Sequence, residues 1–172
     1  MRVINLYGGP GSGKSTTAAG LFYKMKLNHM SVELVTEYAK DLVYANRLED
    51  MLDQQEYIFA KQNKRLHQLR DHVDWVITDS PLMLSCVYVS NDWPAVSSFK
   101  VLVKDIYDTY NNENIFLERP QQFQEYGRRH NEEESKEIDT VIKDMLEDYC
   151  IRYTTIPTDE TVVDTIYNLI TL

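Results

Sequence analysis

A glycine-rich turn set between an apolar run and a helical run constrains this chain more than any other feature. Val3-Ile4-Asn5-Leu6-Tyr7 leads directly into Gly8-Gly9-Pro10-Gly11-Ser12-Gly13-Lys14-Ser15, followed by Thr16. The spacing is G-x-x-x-x-G-K-[ST], which predicts a short strand, a wrapped loop and a helix starting near Lys14. Glycines let consecutive backbone N–H groups converge on one anion without Cβ collisions, and the helix N-terminus adds partial positive charge. In such a loop Lys14 reaches the β- and γ-phosphates and the Ser15 hydroxyl can ligate magnesium. Gly8, Gly9, Pro10, Gly11, Ser12, Gly13, Lys14, Ser15 and Thr16 are therefore the expected binding site for a nucleoside triphosphate, ATP in the simplest case.

The rest of the chain alternates strand and helix patterns. Ala18, Leu21, Phe22 and Met25 continue the first helix, which Asn28-His29 closes. Ser31 to Val35 reads as a second strand ending at Thr36-Glu37-Tyr38. A helix is expected from Asp53 to Arg70, with Gln55, Phe59, Gln62, Leu66 and Leu69 on one face. Trp75 to Thr78 reads as a third strand, stopped by Asp79-Ser80-Pro81. Ser97 or Ser98 is expected to cap a helix whose inner face is Phe99, Leu102, Val103, Ile106, Tyr107 and Tyr110. Ile115-Phe116-Leu117 is a fourth strand, ending at Glu118-Arg119-Pro120. After the polar stretch from Gln121 to His130, Asn131 and Glu134 form a capping-box signal. That helix presents Ile138, Val141, Ile142, Met145, Leu146 and Tyr149 inward. Tyr153 to Ile156 is a fifth strand, and Val162, Val163, Ile166, Leu169 and Ile170 line a closing helix. The expected fold class is α/β: one three-layer domain over residues 1–172 with a five-stranded parallel sheet and a lid around 119–131.

With 172 residues and 43% hydrophobic content, the chain can bury a real core. Its net charge of −9 opposes a broad nucleic-acid footprint, which needs a basic face, but leaves room for a local basic pocket. Cys86 and Cys150 fit neither a metal spacing nor a disulfide framework and are expected to be buried thiols in a reducing compartment. A strand beginning at residue 2 leaves no room for a signal peptide, and no apolar run has membrane-spanning length. A cytoplasmic location follows as the expectation. His29, His67, His72 and His130 show no ligand spacing.

In parallel sheets of this kind, sites lie at the carboxyl ends of the strands. That rule gathers the phosphate loop, Glu37, Asp79 and the segment from Arg119 to Arg129 into one crevice. Asp79 is expected to support magnesium beside Ser15, the plainer alternative being a cap on the turn before Pro81. Glu37 can orient an acceptor hydroxyl or take its proton, or be an ordinary acid after a strand; Tyr38 beside it can stack on a planar substrate. Gln55 and Gln62 interrupt an apolar helix face and can either read a nucleobase edge or bond to neighbouring backbone. Arg119, Arg128 and Arg129 can clamp phosphates as parts of a lid, or pair with Glu132, Glu133 and Glu134.

With these segments in this order, the chain resembles the P-loop kinases of nucleosides and nucleotides. It is similar in particular to the ribosylnicotinamide kinase domain of the bacterial NAD-synthesis regulator and its small relatives, many carried by bacteriophages. The similarity spans Gly8 to Thr16, Glu37-Tyr38, Gln62, Ile77-Thr78-Asp79, Tyr126-Gly127-Arg128-Arg129 and the last strand and helix. It implies strand order 2-3-1-4-5 and ATP- and magnesium-dependent transfer to a small acceptor. Lys14, Glu37, Asp79, Arg128 and Arg129 would then be catalytic, and Glu37, Tyr38, Gln55, Gln62 and Arg119 would meet the acceptor. Asp79-Ser80-Pro81 departs from the acid-Arg-Ser pattern usual at this strand end in deoxynucleoside kinases. The acceptor therefore stays open between a nucleoside hydroxyl, a nucleotide phosphate and a modified base. Two other readings stand beside this one: a phage-type kinase acting on hydroxymethyl-pyrimidine in DNA, and a nucleotide-driven ATPase or switch working through a protein partner. A homodimer is compatible with all three.

Overall fold

The computed structural model describes residues 1–45, 54–119 and 132–171. Its five strands are β1 (Arg2–Tyr7), β2 (Val32–Val35), β3 (Trp75–Thr78), β4 (Asn111–Glu118) and β5 (Thr154–Pro157). They form one parallel sheet in the order β2-β3-β1-β4-β5, as the family resemblance implies. The helices are α1 (Lys14–Leu27), α2 (Tyr38–Tyr44), α3 (Gln55–His67), α4 (Leu84–Tyr88), α5 (Val96–Tyr107), α6 (Glu132–Asp148) and α7 (Val162–Thr171).

β1 lies at the centre of the sheet and is buried on both faces. Alternation along the strand sends Ile4 and Leu6 to one side and Val3 and Tyr7 to the other. On the first side they meet Ala18, Leu21 and Met25 of α1 and Val162 and Ile166 of α7. On the second they meet Phe59 and Leu66 of α3, Phe99 and Val103 of α5, and Ile142 and Leu146 of α6. Two apolar layers thus flank the sheet, and its carboxyl edge is left for the loops.

β4 is longer than the apolar triplet Ile115–Leu117 suggests. It begins at Asn111 because the polar run pairs in register with β1, Asn5 opposite Asn114. The buried Asn5 amide donates to Asn112 Oδ1 at 2.9 Å and Asn114 Oδ1 at 3.1 Å, and the Tyr107 hydroxyl donates to Asn114 Oδ1 at 2.8 Å. Side-chain pairing satisfies groups that would otherwise oppose burial.

Several other expectations shift. Ser97 and Ser98 do not cap α5, which begins one residue earlier at Val96 with Ala95 at the N-cap. Leu102, Val141 and Leu169, assigned to inner faces, are exposed. Each sits at the edge of an amphipathic stripe, where helical spacing alone leaves the boundary loose. Cys86 is buried but Cys150 is exposed, in a left-handed turn just after α6. Asn131, the expected cap of α6, lies outside the described residues. Among the described residues no helix is long and apolar enough to cross a membrane, and no cluster of three potential metal ligands occurs.

Candidate active site

The loop from Gly8 to Gly13 joins β1 to α1, and its last residue is the N-cap. Gly13 adopts φ +88°, a left-handed conformation that a side chain would strain. A Cβ there would also lie 2.6 Å from Thr158 Cγ2, while the Thr158 hydroxyl donates to Ser12 O at 3.0 Å. The turn after β5 therefore clamps the phosphate loop from one side. The Lys14 ammonium curls over the loop, donating to Gly8 O at 2.6 Å and Gly9 O at 2.9 Å. The Ser12 hydroxyl is buried in the loop with no hydrogen-bond partner among the described residues.

Asp79, at the end of β3, is 3% exposed. The Ser15 hydroxyl donates to its Oδ2 at 2.6 Å, and the Glu37 backbone N–H donates to its Oδ1 at 3.0 Å. One carboxylate thus links the first turn of α1 to the N-cap of α2. Oxygen donors of this kind suit a hard cation that keeps several waters, as magnesium does. A loop with an unpartnered buried hydroxyl and an ammonium turned onto its own carbonyls suits a polyphosphate.

Burial lowers the Lys14 pKa to about 8, against the opposing pull of Glu37, Asp79 and Asp139. Burial raises the Glu37 carboxyl above its usual range, and Asp79 pushes it the same way while Lys14 opposes. Between about pH 8 and the ordinary lysine value the unfolded chain binds more protons at Lys14 than the folded one, so stability contributed at this group rises with pH. Urea unfolding of wild type and Lys14→Ala at pH 7.5, 8.5 and 9.5 should show the wild type gaining on the variant by up to about 1.4 kcal/mol per pH unit. A constant difference across the series would show that the ammonium is not desolvated.

Gln62 takes the backbone alternative. Its amide accepts from the Tyr38 N–H at 2.9 Å and donates to Thr36 O at 3.3 Å and Thr78 Oγ1 at 3.4 Å. It fixes the β2–α2 turn carrying Glu37. Tyr38 packs edge-on to Tyr57, with Arg65 over its ring, and Gln55 is buried at the start of α3.

Arg119 grips the phosphate loop and α6. It donates to Pro10 O at 2.6 Å, to Ser135 O at 2.9 Å and to Asp139 Oδ2 at 2.7 Å and 3.0 Å. Asp139 Oδ1 also accepts the Gly9 N–H, so α6 grips the first half of the loop. A Cβ on Gly9 would approach Ser135 O to 2.7 Å, which explains glycine at that position. The side chains of Arg119 and Asp139 are 9% and 17% exposed. Asp139→Leu should therefore remove the counter-charge of a largely buried guanidinium and destabilise the protein by about 3 kcal/mol in urea unfolding. A loss below about 1 kcal/mol would show that the pair is solvated. Arg128, Arg129 and the remainder of the expected lid lie outside the described residues.

Three site residues escape a reading of the sequence alone: Lys40, Tyr88 and Asp139. Lys40 and Tyr88 lie on short helices with weak sequence signals, and Asp139 looks like one acid in an acidic run. Burial raises the Tyr88 hydroxyl to about 12, with Glu37 and Asp139 adding to the shift.

A family model described as an AAA domain matches residues 3–162. The chain belongs to this AAA domain family. A search of the curated proteins finds no match for this chain. Among solved structures, NadR in complex with NR superposes at TM-score 0.76 with 14% identity, covering 99% of this chain and 52% of NadR. The chain thus spans about half the length of that protein. Thymidylate kinase from Ehrlichia chaffeensis gives 0.62 at 12% identity, covering 99% and 98% of the two chains. Deoxyadenosine kinase from M. mycoides with bound dATP gives 0.62 at 16% identity, covering both chains fully at 100%. At such identities the likeness establishes the fold, that of the P-loop nucleoside and nucleotide kinases.

Proposed function

We propose that the chain is an ATP- and magnesium-dependent kinase that transfers the γ-phosphoryl group to a small nucleoside or nucleotide acceptor in the cytoplasm. The observation that carries this reading is the Asp79 carboxylate, held at once by the Ser15 hydroxyl and the Glu37 N–H. With a triphosphate on the loop, its phosphate end would sit beside a second, half-buried acid, Glu37, able to meet an acceptor.

In this reading the amides of the loop and Lys14 hold the triphosphate, the ammonium exchanging loop carbonyls for phosphate oxygens. Ser15 and Asp79 would hold magnesium, which neutralises charge on the phosphates when bound. Glu37 orients the acceptor and accepts its proton late in transfer. Tyr88 offers an aromatic rim to a planar acceptor, and Gln62 keeps the Glu37 turn in place. Arg119 and Asp139 hold the phosphate loop in shape, while Arg128 and Arg129 close over the transferring group. Most of the acceleration comes from positioning and charge neutralisation.

Incubation with ATP, magnesium and a panel of nucleosides, nucleoside monophosphates, ribosylnicotinamide and modified DNA, read by mass spectrometry, tests this assignment. A product heavier by one phosphoryl group supports it and names the acceptor. Phosphate appearing only on modified DNA would instead select the polymer kinase, a reading the net charge of −9 disfavours.

A further inference from the structure

Asp79 and Ser15 face one more charged group. Lys40, in the first turn of α2, places its ammonium 2.9 Å from Ser15 Oγ and 4.0 Å from Asp79 Oδ2. The Ser15 proton points to Asp79, so the Ser15 lone pair receives the Lys40 hydrogen bond. This position is built rather than incidental. The turn leading to Lys40 is anchored twice, by Glu37 N–H on Asp79 and by Tyr38 N–H on Gln62.

We propose that Lys40 competes with a divalent cation for Ser15 and Asp79 and thereby sets the metal affinity of the nucleotide complex. A hard cation at this junction needs oxygen lone pairs from the same two side chains, directly or through its waters. An ammonium held on those atoms must give way, and the two positive charges repel at short range. Lys40 is 47% exposed against 3% for Asp79, so the lysine is the partner free to withdraw. Its charge still weakens metal retention, attenuated by solvent screening. The inference rests on the nucleotide-binding part of the proposed function and is independent of the acceptor.

Manganese supplies a direct readout, because free Mn²⁺ is counted by electron paramagnetic resonance without any turnover. With protein in excess over ADP, Lys40→Met should lower the Mn²⁺ dissociation constant about fivefold, a size consistent with removing one partly screened charge. Lys40→Gln should do the same, and Lys40→Arg, which keeps the charge, should stay within about twofold of wild type. Unchanged or weaker Mn²⁺ binding in both neutral variants, beside a wild type that binds Mn²⁺ and ADP, overturns the role of Lys40 alone. A wild type that binds no Mn²⁺ with ADP overturns the nucleotide-binding reading and this inference with it.

Discussion

Replacing Lys14 with alanine is expected to abolish phosphoryl transfer while leaving the fold intact. Among the described residues the ammonium donates to the carbonyls of Gly8 and Gly9, and it carries a desolvation penalty. Its removal therefore costs the folded state little. In the reacting complex the same charge would face the phosphates as negative charge redistributes, and fixed charges of that kind weigh most in a water-poor site. Turnover should fall by at least about a thousandfold. Circular dichroism and the unfolding midpoint at neutral pH should stay near wild type. Near-normal turnover in a folded Lys14→Ala protein would remove the phosphate loop from the chemistry.

Glu37→Gln carries the second large effect. Glutamine keeps the shape and the backbone N–H to Asp79, so the α2 N-terminus should hold. What it loses is a half-buried carboxylate whose affinity for a proton is raised by burial, a useful property in a group that must accept one. A proton acceptor of this type contributes about a hundredfold or more, and kcat should drop by that order while the affinity for ADP stays unchanged. The measurement is kcat beside ADP titration of the same preparation. Full turnover would take Glu37 out of the mechanism, and lost ADP affinity would mean that it serves the phosphate loop instead.

The fold was legible because periodicity is strongest where burial is complete. β1, β3 and the apolar part of β4 read as largely hydrophobic runs, and α1 and α3 show inner faces at helical spacing, that of α3 broken only by Gln55 and Gln62. Sequence reasoning lost the polar start of β4, because an asparagine run has no strand signature until Asn5 is known to pair with it. It also passed over α2 and α4, of seven and five residues, which are too short to show a helical period. The phosphate loop and Asp79 were readable from local order, each standing at a strand end. The roles of Gln62 and Arg119 were not, since both are decided by distant backbone: Tyr38 for one, Pro10 for the other. Lys40 and Asp139 became visible only when parallel pairing brought α2 and α6 to the same edge of the sheet.

The most direct test of the central claim is the rate of ADP formation from ATP and magnesium with and without a small acceptor, matched against phosphorylated product. The account predicts that one nucleoside or nucleotide raises ADP formation by at least about tenfold, with one phosphorylated acceptor per ADP. Slow hydrolysis that is indifferent to every small acceptor would contradict it and select a nucleotide-driven switch acting through a protein partner.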